Sequence, residues 1–204
     1  AHSRRFEKIL DQVPLEAAQL HLINQSFQAF LGSTYWCDLD NDREWFSLSG
    51  GVYFFHSAID VEYNVSMFYL ALWPRLLELQ LDEWADYAER HKPSDGCILG
   101  HDMGQAACVT GQGYGHNMPV EDNANYLLLI QAYAHWTGDL SIARRHRELL
   151  VHLAKYLIWT DRDGSGFPSE GLANAMDDAS PAVQFASKQT YLAVKRLAAL
   201  QAAA

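Results

Sequence analysis

Cysteine is scarce in this chain. Cys37, Cys97 and Cys108 are its three cysteines and none falls in a C-x-x-C pair, which argues against both a disulfide framework and a thiolate zinc site. The odd number leaves at least one thiol without a mate inside the chain. Basic residues are also short, 15 Lys and Arg against 25 Asp and Glu, for a formal net charge of −10. Nucleic acid and anionic membrane both require a basic footprint, so neither is expected as the main partner. No apolar run reaches about 18 residues, so nothing reads as a membrane span. The start shows no secretory leader, and it opens on Ala-His-Ser-Arg without Met, as a processed or excised piece does. No compartment follows: the expectation is a soluble protein, cytoplasmic or secreted. Nucleophile and phosphate signatures are missing too. There is no G-x-S-x-G, and Gly111-Gln112-Gly113-Tyr114-Gly115 follows no strand and carries no Lys.

What is present is a globular composition. With 204 residues, 49% of them apolar, the chain is long enough for one substantial domain with a real core. Aromatics reach 12%, with six Trp and ten Tyr, enough both for core packing and for stacking on a flat ligand. Phe6, Ile9 and Leu10 suggest a helical turn. Pro14 then suits a helix start, and Leu20, Ile23, Phe27, Phe30 and Leu31 recur at helical spacing as far as Gly32. Asp38, Asp40, Asn41 and Asp42 form a polar turn, either solvated or cation-binding; Gly50-Gly51 and the aromatics after it suggest a loop or a short extended piece. A helix from Asp60 carries Val65, Phe68, Tyr69 and Leu72, breaks at Pro74, and resumes with Leu77, Leu81, Trp84, Ala85 and Ala88. Asp82, Glu83, Asp86, Glu89 and Arg90 are expected to face out. Further helices are expected from Glu121 to Thr137, from Ser141 to Trp159, and from Pro181 to the Ala-rich end. The sum is six or seven helices, little strand, and long connections at 33–59, 92–119 and 160–180. This predicts an all-α fold of helical hairpins, an α-toroid or solenoid, without a repeat by residue identity.

Two stretches between the long helices concentrate chemistry: Leu99-Gly100-His101-Asp102-Met103-Gly104 and Met118-Pro119-Val120-Glu121-Asp122-Asn123. Few acids lie off helix surfaces: Asp60, Glu62, Asp102, Glu121, Asp122, Asp177 and Asp178. If their loops converge they supply paired carboxylates in an aromatic-lined pocket. Glycoside hydrolysis needs that set, with one protonated acid for the leaving oxygen and one carboxylate as nucleophile or base. The alternative is capping, since Glu121, Asp122 and Asp177 also suit helix N-termini. Tyr114 and His116 are further candidate substrate contacts on the intervening segment. His101 beside Asp102 is a hydrogen-bonding pair or a pair of metal ligands. Asp161-Arg162-Asp163-Gly164-Ser165-Gly166 has the opening positions of a calcium loop, with Asp161, Asp163 and Ser165 as oxygen ligands. Leu172 stands where the bidentate Glu belongs, so an Asp/Gly turn is the alternative. No other cofactor is called for.

Taken together and in order, several stretches resemble known families over roughly residues 30–200. Ser57-Ala58-Ile59-Asp60-Val61 with Leu72-Trp73-Pro74-Arg75-Leu76-Leu77-Glu78, then His101-Asp102-Met103-Gly104, then Asp161 to Gly166, resemble segments of the non-lysosomal glucosylceramidase and β-glucosidase family and of related bacterial β-xylosidases. Met118-Pro119-Val120-Glu121-Asp122-Asn123-Ala124-Asn125 and Tyr191-Leu192-Ala193-Val194-Lys195 are similar to stretches of secreted glutaminase-type proteins. The resemblance implies a six-hairpin (α/α) toroid and a single all-α catalytic-type domain over 1–204. About twelve helices make such a ring, so the chain is expected to be a segment of it. More of the same protein or a partner chain would then supply the rest. By resemblance, Asp60, His101 and Asp102 would hold sugar hydroxyls and Asp177, or Asp178, would be the general acid. The glycosidase nucleophile is missing: Ser49 and Val52 stand where Glu is expected. Glu121 or Asp122 is then the candidate base of an inverting mechanism. The expected activity is hydrolysis of glycosidic bonds. A glutaminase-like amide hydrolase and a non-catalytic carbohydrate-binding scaffold are the alternatives.

Overall fold

A computed structural model describes residues 8, 12–39, 43–50, 54–91, 99–106, 111–115, 118–170, 186 and 188–204. Two compact units divide the chain, Ala1–Thr34 and Tyr35–Ala204. The first holds helix α1 (Ala17–Ser33), none of whose residues is buried. The Gln19 side chain accepts the Glu16 N–H at 3.0 Å at its start, and Thr34 Oγ1 donates to the Leu31 carbonyl at 3.2 Å at its end. These local bonds satisfy groups that a helix terminus leaves open. Of the helical turn expected around Phe6 to Leu10, Lys8 alone is described, and it is helical; Phe6, Ile9 and Leu10 lie outside the described residues.

The second unit is mostly helical but not all-α, which corrects the expectation. Strands β1 (Thr34–Leu39), β2 (Arg43–Gly50) and β3 (Phe55–His56) form a three-stranded sheet in that order. β2 and β3 are antiparallel, with Ser49 opposite His56 and Gly50 opposite Phe55. The stretch gave no strand signal because Trp45, Phe46, Ser47 and Leu48 are all buried in succession. A strand covered on both faces loses the alternation by which strands are recognised.

The helices follow as α2 (Ile59–Leu72), α3 (Pro74–Arg90), α4 (Pro119–Thr137), α5 (Ser141–Arg145), α6 (Arg147–Trp159) and α7 (Thr190–Ala202). Their limits follow from local chemistry. Pro74 and Pro119 occupy first-turn positions, where a missing N–H costs nothing. Gly138 ends α4 at φ 74°, a left-handed conformation that glycine adopts without a Cβ penalty. Asp139 then accepts the Ser141 N–H at 2.8 Å at the start of α5. The single helix expected over 141–159 is interrupted at His146, whose ring is drawn to Asp82 Oδ1 at 2.6 Å. The last described helix starts at Thr190; Pro181, where the sequence reading placed a helix start, lies outside the described residues. Ala186 is not helical, Lys188 has φ 58°, and Gln189 is extended.

Helix α4 is the axis of the unit. It packs against α2, α3, α6 and α7, while α3 also packs against β2. Its buried residues include Val120, Ala124, Tyr126, Leu127, Leu129 and Ile130, which meet Trp84, Leu77 and Leu81 from α3 in one core. Polar groups inside are tied to neighbouring elements: Tyr126 Oη donates to the Leu81 carbonyl at 2.9 Å and Trp84 Nε1 to the Ser57 carbonyl at 3.0 Å. Glu83, expected on the outer face of α3, is buried instead. Trp45 Nε1 donates to it from β2, so a strand absent from the sequence reading covers that face. Among the described residues no helix is long and apolar enough to cross a membrane.

Candidate active site

The N-terminal turns of α2 and α4, the loop 99–104 and helix α7 converge on one polar cluster. Its base is the first turn of α4, which carries Glu121 and Asp122 side by side, 1% and 0% exposed. They meet very different surroundings. Glu121 Oε1 accepts from Lys195 Nζ at 3.0 Å and from Tyr191 Oη; Lys195 Nζ and Tyr191 Oη are themselves 2.7 Å apart. The Lys195 ammonium also lies 4.4 Å from the centre of the Tyr63 ring, a cation–π contact from α2. Asp122 has no such support. Neither of its oxygens has a partner in hydrogen-bond geometry among the described residues. Burial pushes its carboxyl well above the ordinary range. The negative charges of Asp60 and Glu121 push the same way, against the Lys195 ammonium and the Met118 N–H.

Loop 99–104 is locked to three elements. Met103 N–H donates to the His56 carbonyl and His56 N–H to the Gly104 carbonyl, both at 2.8 Å, so the loop runs beside β3 like a short strand. The His101 carbonyl accepts the Ile59 N–H at 2.9 Å at the start of α2, and Asn123 Oδ1 accepts the Leu99 N–H at 2.9 Å. Gly100 faces the Tyr87 ring so closely that a Cβ there would lie 2.4 Å from a ring carbon. Gly104 turns the chain at φ 97°.

His101 and Asp102 form a pair, with Nδ1 2.9 Å from Oδ2. The other face of the His101 ring looks toward Asp60, Nε2 to Oδ1 being 3.7 Å. Asp102 is fully buried, and burial alone would raise its pKa. The His101 bond and the N–H groups of Gly113, Gly104 and Tyr114 outweigh it and hold the carboxyl below its usual range. Those three N–H donors lie 2.7, 2.7 and 3.0 Å away. Tyr114 stacks obliquely on His101 at 4.5 Å between ring centres, and Phe55 closes on both rings edge-on.

The structure therefore brings Asp60, His101, Asp102, Tyr114, Glu121 and Asp122 together. His116, Asp177 and Asp178 lie outside the described residues. Asp161, Asp163 and Ser165 do not join the cluster's hydrogen bonds. Asp161 accepts the Gly166 N–H, Asp163 accepts the Ser165 N–H at 3.1 Å, and Lys188 Nζ lies 2.7 Å from Asp163. Among the described residues no group of three or more His, Cys, Asp or Glu side chains is placed to hold a metal ion. Sequence reasoning gave no role to Tyr63, Tyr191, Lys195 or Asn125. The four-residue spacing of Tyr191 and Lys195, which puts both on one face of α7, was the available signal.

A separate cavity of about 440 Å³ lies between β2 and α3. Its lining includes the ion pairs Arg43–Asp86, Arg75–Glu44 and Arg145–Asp82, so most of its charges are matched within the cavity.

Residues 51–204 match the family described as the glutaminase A six helical-hairpin domain. No curated protein matches the chain. The family match supports the glutaminase-type resemblance and adds nothing to the glycoside hydrolase one. It covers three-quarters of the chain, including α2, α4, α7 and the loop that together build the site. By that match, the chain belongs to the family of glutaminase A six helical-hairpin domains.

Proposed function

We propose that this chain carries the active site of an amide hydrolase that releases ammonia from glutamine or a similar primary carboxamide, on a toroid of helical hairpins. The observation that carries this reading is the pair of adjacent, buried carboxyls in unlike surroundings. Asp122 is pushed toward its neutral form, while Glu121 is held by an ammonium and a phenol. A buried carboxyl pushed toward its neutral form beside one held by an ammonium and a phenol can take the acid role while the other takes the base role.

In this reading Glu121 takes a proton from a water molecule. The hydroxide bonds to the amide carbon. Asp122 delivers its proton to the amide nitrogen, the C–N bond breaks, and ammonia and a carboxylic acid leave. Neutral Asp122 suits proton donation better than the base role the sequence suggested for it. Asp177 and Asp178 have no part in this scheme. His101, Asp102, Asp60 and Tyr114 form the substrate-facing wall. The hydrogen-bonded Asp102 keeps the His101 ring in one orientation, as a carboxylate partner commonly does.

The test is an assay of the purified chain on L-glutamine, other primary amides and aryl glycosides side by side. Ammonia release from an amide is expected, and Asp122→Asn should reduce kcat by about 10²-fold or more, the usual scale for a general acid. The alkaline limb of the wild-type pH profile should lie above the ordinary carboxylate range, because the required form of Asp122 is the protonated one. Glycoside cleavage without ammonia release would overturn the reading in favour of the glycosidase.

A further inference from the structure

Asn125 stands out among the buried polar residues of α4. It is 0% exposed, and among the described residues neither its Nδ2 nor its Oδ1 has a hydrogen-bond partner. A buried amide left unpaired forfeits its bonds to water without replacing them, which is costly. Such a group calls for an explanation in a ligand or an ordered water. Helical spacing puts Asn125 one turn beyond Glu121 and three residues beyond Asp122, on the face of α4 that carries the carboxyls. Glu121 Oε2 and both Asp122 oxygens are likewise without partners among the described residues. The cluster therefore presents an unused donor and acceptor on Asn125 beside unused carboxyl oxygens.

We infer that Asn125 is a specificity residue that reads the carboxamide group of the substrate, an inference that rests on the amide-hydrolase reading above. A primary carboxamide carries an N–H and a C=O on the same side. It can pair with Asn125 in a two-bond ring: substrate N–H to Oδ1, and Nδ2–H to substrate C=O. Both bonds lie in the plane of the amide. Its two faces stay open, one for the attacking water on Glu121 and one for the proton from Asp122. An ester offers no N–H to Oδ1. A carboxylate sets a second oxygen against Oδ1, so the acid product loses one bond and gains a repulsion. Sites built to hydrogen-bond a substrate group reject analogues lacking it far more strongly than apolar pockets do.

The experiment uses the full chain, with L-glutamine, its γ-methyl ester analogue and L-glutamate as probes, and the variants Asn125→Leu and Asn125→Asp. Wild-type protein should bind glutamine at least tenfold more tightly than glutamate by calorimetry. Asn125→Leu should lower kcat/KM on the amide about 100-fold and on the ester by less than tenfold, and should melt at or above the wild-type temperature. Asn125→Asp should narrow the amide-to-ester ratio in the same direction. Parallel loss on amide and ester, no loss on either, or failure of both variants to fold would each overturn the inference, the last by showing a structural partner for Asn125. If wild-type protein hydrolyses neither probe, the proposed function fails. The binding preference, and its loss in Asn125→Leu, then still decides the role of Asn125.

Discussion

Asp102 does the most bonding work of any single residue in the site. It accepts from His101 and from the N–H groups of three residues, Gly104, Gly113 and Tyr114, the last two eleven and twelve positions away. Its carboxylate thus gathers two loop segments around one point. Asp102→Ala leaves those donors without their acceptor in a buried place. We expect a loss of about 3–5 kcal/mol in urea-induced unfolding, the scale for breaking one side of a buried charged network. A loss below about 1 kcal/mol would mean that the loop is held by its bonds to His56, Ile59 and Asn123 without help from Asp102. At this scale the sequence was informative about residue types: a His-Asp pair between glycines, and adjacent acids at a helix start, announced chemistry. It marked Lys195 only as the end of a stretch similar to glutaminase-type proteins and gave it no role, because by pattern a lysine in the middle of an ordinary-looking helix is indistinguishable from a surface one. Only the packing of α7 against α4 gives it a buried carboxylate to face.

Between elements, two buried glutamates tie α2 and α3 to β2. Glu62 accepts from Tyr69 Oη at 2.8 Å, from the Gln80 amide, and from the Leu48 N–H at 3.3 Å; Glu83 accepts from Trp45. Burial pushes both carboxyls up to about 8, their hydrogen-bond donors only partly opposing it. Each therefore binds a proton more tightly in the folded chain than in the unfolded one. The stability they bring is complete below about pH 4.5 and is lost as pH rises toward 8. Across that window ΔG of unfolding should fall with pH, at up to about 1.4 kcal/mol per unit for each carboxyl. Glu62→Gln keeps the shape, removes one titration, and should flatten the slope; an unchanged slope would show that Glu62 is charged when folded. The helices themselves were legible from apolar spacing, prolines and Gly138. Of the strands, only the extended piece suggested after Gly50-Gly51 was legible, where β3 runs over Phe55–His56; β2 was not, because it is buried on both faces and its contact with α3 also turned Glu83, outward by pattern, into an interior residue.

At the level of the molecule, the family match over 51–204 falls within the compact unit Tyr35–Ala204. Helix α1 buries none of its residues. A chain reduced to residues 35–204 should thus retain one cooperative thermal transition, and a noncooperative melt would show that the first 34 residues are needed. The site was only partly legible because it is a long-range object: positions 60, 101–102, 121–125 and 191–195 meet only when four elements assemble, and no spacing in sequence encodes that meeting. The paired backbone bonds of His56 with the Met103 N–H and the Gly104 carbonyl carry a kinetic consequence. The His56 and Met103 amides are 47 positions apart yet sit in one small hydrogen-bonded ring, so opening the loop releases both. Their protons should exchange with deuterium at a common rate, as one cooperative unit. That shared rate is a reporter of site integrity that needs no substrate at all.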